Sequence, residues 1–211
     1  MRPPRRGKEV QKLTRCIAAL NRFVSRSTDK CLPFFNALRG SKEFAWTDEC
    51  ERAFEELKAY LGHTPVLAKP LTGEKLFAYL AVSQHAVSSV LVKEAAGVQV
   101  PIYYVSKRLL DAELRYPELE RLALALVIST RKLRHYFLAH PVVVLTNHPM
   151  KQVLRRPEAS GRLIKWTVEL TRFDILYQPR TAIKGQALAD FIAEFTFSSE
   201  EDRDGQNEPP K

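Results

Sequence analysis

The feature that most limits the folds open to this chain is a change of period near residue 75. Upstream, apolar residues recur at three- and four-residue steps. Downstream come three short β-branched or aromatic runs, Leu76–Val82, Ala86–Lys93 and Val100–Ser106, before helical spacing returns. The second and third are separated by Glu94-Ala95-Ala96-Gly97, a connection short enough for a hairpin. A long helix follows, with Leu119, Leu122, Leu126, Leu133 and Phe137 on one face. Arg131, Lys132, Arg134 and His135 cluster in its last turns, at the negative end of the helix dipole. Then come a strand at Val142–Thr146, helices at Met150–Leu154 and Gly161–Thr171, a strand at Phe173–Tyr177 and a closing helix at Gln186–Phe195. The order β-β-β-α-β-α-α-β-α predicts an antiparallel hairpin extended by parallel crossover strands: an α/β protein with a mixed sheet covered by helices.

Before residue 75 the pattern is helical. Val10, Leu13, Ile17, Leu20 and Val24 form one apolar stripe, and Lys8, Lys12, Arg15, Arg22 and Arg26 recur on nearly the opposite face. This predicts one amphipathic helix from Val10 to Arg26, packed on one side and presenting cations that can track phosphates on the other. After a loop, Trp46-Thr47-Asp48-Glu49 predicts a second helix, with Thr47 as N-cap and two acids in the first turn. Cys50, Ala53, Phe54, Leu57 and Leu61 line one face of it, and Pro65 stops it.

Charge is unevenly spread. Residues 1–40 carry ten basic and two acidic side chains, residues 41–197 carry 21 and 17, and the last fourteen carry two and five. A basic excess gathered at one end suits a polyanionic partner. No apolar run approaches the roughly 20 residues of a spanning helix, so no membrane role is expected. The basic start, RPPRRGKEV, lacks the apolar stretch of a signal peptide. Three widely spaced cysteines (Cys16, Cys31, Cys50) without a C-x-x-C pair argue against a disulfide framework or zinc site and fit a reducing compartment, cytoplasm or nucleus.

The segments FAWTDECERAFEELKAYLGHTPVLAKP, LAVSQHAVSSVLV, PIYYVSKRLLDAELRYPELERLALALV, RKLRHYFLAH, VVVLTNHPMKQVL, SGRLIKWTVELTRFDILYQP and GQALADFIAEF stand in order along the chain. Together they resemble the Pol polyprotein of gypsy-class long-terminal-repeat retrotransposons, from the end of reverse transcriptase through its RNase H-like domain. The resemblance implies an RNase H-like mixed five-stranded sheet flanked by helices, preceded by a small helical thumb/connection segment. It divides the chain into a disordered basic arm (1–8), thumb/connection helices (9–72), the RNase H-like domain (74–196) and a disordered acidic tail (197–211).

The resemblance also implies an ancestral activity, cleavage of RNA in RNA–DNA hybrids with two Mg²⁺ ions held by four acids. Hard cations take oxygen ligands, and two of them together must activate water and stabilise the leaving oxygen. The first family acid, in a T-D-A-S pattern, falls on Ala81; the second, on the long helix, falls on Leu122. The third, in T-D-H, falls on Asn147, and only the fourth survives, as Asp190. One carboxylate and one amide cannot compensate two divalent cations, so no metal is expected. Leu122 would join the apolar stripe and Ala81 would fit among strand neighbours, a site rebuilt as core.

The expected function is a structural connection that helps hold an RNA–DNA hybrid beside polymerase palm and fingers domains. No Tyr-x-Asp-Asp palm motif and no G-x-S-x-G elbow is present. The alternatives are an active RNase H with a rearranged acid set and a protein-interaction scaffold without nucleic acid. Lys8, Lys12, Arg15, Arg22 and Arg26 are the candidate nucleic-acid contacts, and Arg155, Arg156, Arg162, Lys165 and Arg172 form a second basic cluster. Trp46 and Trp166 read as core, His148 as a turn residue before Pro149, and the outward-facing one of Tyr103 and Tyr104 as a possible stacking platform.

Overall fold

A computed structural model describes residues 3–4, 6–39, 45–62, 67–155 and 161–180. The expected last helix, the acidic tail and Asp190 lie outside these residues.

The strands are β1 (Leu76–Val82), β2 (Ala86–Ala95), β3 (Val98–Arg108), β4 (Val142–Leu145) and β5 (Ile175–Gln178). They form one mixed five-stranded sheet in the order β3-β2-β1-β4-β5, antiparallel across β1–β2–β3 and parallel across β1–β4–β5. The first turn is closed by Ser83, whose Oγ accepts the N–H of Ala86 at 3.0 Å while its own N–H donates to Ala86 O at 2.9 Å. The second connection is tighter than the four residues expected. β2 and β3 pair out to Ala95 and Val98, leaving a two-residue turn of Ala96 (φ +50°) and Gly97 (φ +76°). Two positive φ values give the type I′ twist that matches the strands, and Ala96 occupies left-handed space at a cost. The register of β2 against β3 shifts between Leu91 and Val92, next to Pro101 on the edge strand, where a residue without an N–H is tolerated.

Helices α1 (Gly7–Ala19), α2 (Ser27–Lys30), α3 (Leu32–Arg39) and α4 (Asp48–Gly62) precede the sheet. After β3 come α5 (Asp111–Leu114), α6 (Glu118–Lys132) and α7 (Arg134–Ala139), and between β4 and β5 come α8 (Met150–Arg155) and α9 (Gly161–Leu170). α6 lies on the face of β1 that carries Leu76, Ala78 and Leu80. Its residues 122–130 are all buried because α8 and α9 enclose its other side. The expected single long helix breaks at Leu133 (φ −112°, ψ 28°), and α7 starts on a new axis that brings Phe137 against Phe173. On the opposite sheet face Tyr79, Ala81, Val90, Val92, Tyr104, Val143 and Leu145 form a second buried cluster.

The helical segment has its own core of Val10, Leu13, Ile17, Val24, Phe34, Phe54 and Leu57. Trp46 stacks on Phe34 at 5.7 Å and meets Phe54 edge-on at 6.0 Å. Thr47 caps α4 as expected, its Oγ1 accepting the N–H of Cys50 at 3.3 Å. The expected helix from Val10 to Arg26 does not persist. It ends at Ala19, where the Leu20 N–H is shared between Cys16 O and Ile17 O, and Leu20 is left 39% exposed rather than packed. The chain then reverses through a 3₁₀ turn, Asn21–Phe23, and a left-handed Arg26 (φ +48°). That reversal lets α2 dock on the sheet: the Thr28 N–H donates to Ser106 Oγ at 3.2 Å and Ser83 Oγ donates to Asp29 Oδ1 at 2.8 Å. Among the described residues no helix is long and apolar enough to cross a membrane.

Candidate functional site at the carboxyl ends of the parallel strands

β1, β4 and β5 point the same way, so their carboxyl ends share one edge, the side of a parallel sheet where crevices open. The segments after these strands meet there. The Arg180 backbone N–H, just past β5, donates to Asn147 Oδ1, just past β4, at 3.0 Å. Its guanidinium reaches back to β1, Nη2 donating to Leu80 O at 3.0 Å. From the first turns of α6, Arg121 Nη1 donates to Ser83 O, just past β1, at 3.1 Å. Exposed Glu118 and His148 approach each other at 3.9 Å beside them.

Three of the four positions where the resemblance would place acids are described. Ala81 is 6% and Leu122 is 4% exposed, so both are core residues. They do not fill one pocket. Ala81 belongs to the Tyr79 cluster and Leu122 to the α6 cluster, on opposite faces of the sheet, as the two-residue alternation along β1 requires. Asn147 is exposed, and its carboxamide oxygen is engaged with Arg180.

Sequence reasoning missed Arg121 and Arg180, although Arg121 adjoins Leu122 and Arg180 follows the β5 pattern directly. Each guanidinium uses one nitrogen on a β1-side carbonyl, while its Nε is buried without a hydrogen-bond partner. Among the described residues no carboxylate pairs with either, whereas Arg26, Arg131 and Arg162 each hold an acid. Burial pushes the Arg180 pKa down, offset in part by the nearby Tyr79. Burial raises Tyr79 in turn, against the hydrogen bond to Gln99 and the charge of Arg180. Since Tyr79 and Ala81 share a sheet face, Arg180 lies on Ala81's side of β1 and Arg121 on the α6 side.

Among the described residues the donors at the strand ends, the Glu118 carboxylate, the His148 imidazole and the Asn147 amide, are too few anions for two magnesium ions. Among the described residues there is no group of three or more His, Cys, Asp or Glu side chains that could hold a metal. The site instead carries two fixed cations, which would repel a divalent ion and attract an anion.

The remaining candidates separate. Lys8, Lys12 and Arg15 stand exposed on the outer side of α1. Arg22 and Arg26 leave that face, because the helix that would have carried them has ended. The Arg22 guanidinium lies over Phe23 at 5.0 Å and Tyr103 at 5.5 Å, and Arg26 pairs with Asp29 at 3.2 Å. Tyr103 is thus covered by Arg22, and Tyr104 is buried. In the second basic cluster Arg162 is committed to Glu120 at 2.6 Å and to the Tyr116 ring at 3.9 Å. Lys165 and Arg172 are exposed, while the Arg155 side chain and Arg156 lie outside the described residues. Trp166 is buried in the α6 cluster, and His148 is exposed at the turn.

Comparison with known proteins agrees with this architecture. Residues 46–144 match the family described as the RNase H-like domain found in reverse transcriptase. The retrovirus-related Pol polyprotein from transposon 297 of Drosophila melanogaster is 27% identical over 173 residues, covering 81% of this chain and 16% of that protein. The Gag-Pol polyprotein of baboon endogenous virus is 25% identical over 155 residues, 74% of this chain and 9% of its own length. The transposon Tf2-3 polyprotein of Schizosaccharomyces pombe is 27% identical over 187 residues, 85% and 14% respectively. The chain thus spans less than a fifth of these relatives. Among solved structures, the foamy viral protease-reverse transcriptase in complex with dsDNA superposes with a TM-score of 0.72 at 22% identity, over 87% of this chain and 40% of that one. The same enzyme in complex with RNA/DNA hybrid gives 0.70 at 23%, over 86% and 26%. Residues 46–144 thus resemble the RNase H-like domain found in reverse transcriptase, the fold matches that of the foamy viral protease-reverse transcriptase, and the sequence is similar to retrotransposon and retroviral Pol polyproteins.

Proposed function

We propose that this chain is the connection and RNase H-like part of a gypsy-class retroelement Pol polyprotein, that it has lost RNA hydrolysis, and that it holds an RNA–DNA hybrid beside the polymerase palm and fingers. The observation that carries this reading is the exchange of charge at the strand ends. Ala81, Leu122 and Asn147 stand where the resembling family has acids, and the guanidiniums of Arg121 and Arg180 stand beside them. Metal-assisted hydrolysis needs anionic oxygen ligands to gather the cations that activate water. Here the side chains at those positions are a methyl, an isobutyl and an engaged amide, and Asp190 alone cannot balance two divalent charges. Phosphate, by contrast, is what a guanidinium binds well. Exposed Lys8, Lys12 and Arg15 on α1 add a second basic surface for the backbone of the same duplex.

The test pairs two assays on the full chain. With Mg²⁺ or Mn²⁺ and a labelled RNA–DNA hybrid, no cleavage above an Asp190→Asn control is expected; Asp190-dependent cuts would restore the active-nuclease reading. Hybrid binding should weaken steeply with salt, whereas no binding even at low salt would favour a protein-interaction scaffold.

A further inference from the structure

We propose that Arg121 and Arg180 form a metal-independent site for the backbone of a nucleic acid, each guanidinium taking one phosphate on its own side of the carboxyl end of β1. This rests on the reading that the domain holds an RNA–DNA hybrid, and it names the atoms that would do so. The anchors of the two guanidiniums, Leu80 O and Ser83 O, are three residues apart, about 10 Å along an extended chain. One arginine arrives from α6 and the other from the strand beyond β4, so they approach the same strand end from opposite faces of the sheet. Both are positioned before any ligand arrives, each by a bond to a backbone carbonyl, and Arg180 also by its own N–H to Asn147. A guanidinium has five N–H donors; with Nε buried and one N–H on a carbonyl, three remain on its two terminal nitrogens. A partly buried cation that no carboxylate among the described residues pairs with attracts an anion more strongly than a solvated one, and a guanidinium can meet phosphate with two parallel bonds. The acid flanking the site, Glu118, is exposed and turned toward His148 rather than toward either arginine.

The test uses the full chain in EDTA, a short RNA–DNA hybrid read by fluorescence anisotropy, and a salt series. The variants are Arg121→Gln, Arg180→Gln, the double substitution, the charge-retaining Arg180→Lys, and Arg52→Gln, an equal charge change on the exposed side of α4. Each lost phosphate contact should flatten the slope of log K against log salt by about 0.9. The double variant should bind at least about tenfold more weakly. Arg52→Gln should match the unmodified protein, and Arg180→Lys, which keeps the charge but not the two-bond fork, should bind more weakly while keeping the salt slope.

If the double variant binds within about twofold and keeps its slope, the site is overturned while the holding role stands. The site is equally overturned if Arg180→Lys, melting normally, flattens the salt slope as much as Arg180→Gln. Should the unmodified chain not bind the hybrid at all, the functional reading fails. Titration with inorganic phosphate then decides the site by itself: NMR shifts at Arg121 and Arg180 support it, and none overturn it.

Discussion

Replacing Leu122 by Glu puts an acid where the resemblance would place one on this helix, and it measures how firmly the position belongs to the core. Leu122 is 4% exposed and packs in the cluster between α6 and the sheet. Removing a buried leucine side chain costs about 2–5 kcal/mol. A glutamate recovers part of that volume but brings a carboxyl with no partner, costing about 1–3 kcal/mol more. A net loss of about 3–5 kcal/mol is expected. At roughly 4–8 °C per kcal/mol for a folded unit of about 100 residues, the midpoint should fall by at least about 12 °C.

The pH dependence carries a sign. Burial would raise the carboxyl pKa in the folded state, so the folded chain would bind more protons than the unfolded one above the unfolded value of about 4.3. The deficit of Leu122→Glu should therefore grow as pH rises through that window and shrink as pH falls back through it. Leu122→Met, which conserves volume, should cost less than about 1.5 kcal/mol. Thermal melts by circular dichroism at several pH values, with and without Mg²⁺, read all of this. A Leu122→Glu protein melting within about 3 °C of the parent and gaining stability from Mg²⁺ would refute the reasoning.

Three further outcomes follow from local geometry. Ala96→Gly relieves a left-handed alanine costing about 1–2 kcal/mol against a smaller entropic loss, so it should stabilise by about 0.5–1 kcal/mol, seen as a higher urea midpoint at constant slope. Thr47→Ala removes the oxygen that caps α4 and should destabilise by about 1 kcal/mol in the same assay. Cys16 is exposed, whereas Cys31 and Cys50 are buried and desolvation holds the Cys31 thiol at about 12. One thiol should react with a maleimide in the native protein and three after denaturation. The preference for a protonated Cys31 contributes stability that is present below the ordinary thiol range and is lost as pH rises toward about 12, visible as an alkaline fall in melting temperature.

What could be read without coordinates was whatever is written into short stretches of chain. Alternation along Leu76–Val82, the turn residues at Gly97, the Thr47 cap and the apolar spacing of the long helix are nearest-neighbour facts, and they carried the mixed sheet and its helices. The residues at the positions where the resemblance would place acids were likewise legible, because they concern identity at a position and not contact. Local pattern failed where a distant partner overrode it. The stripe from Val10 to Val24 continues on paper past Ala19, but the chain turns there so that Thr28 can meet Ser106, 78 residues on. Helical spacing likewise runs through Leu133, where the structure breaks α6 from α7.

The same division holds at the strand ends. The sequence supplied the residues Ala81, Leu122 and Asn147 at the positions the resemblance marks; it did not reveal that Arg121 and Arg180 reach the end of β1, or that Ala81 and Leu122 face apart. Arg180 meets Leu80 across 100 residues of chain, and Arg121 meets Ser83 across 38. Such encounters are set by which strands pair and which face a helix covers. A window of neighbouring residues holds no term for them, so only the assembled sheet could place those charges.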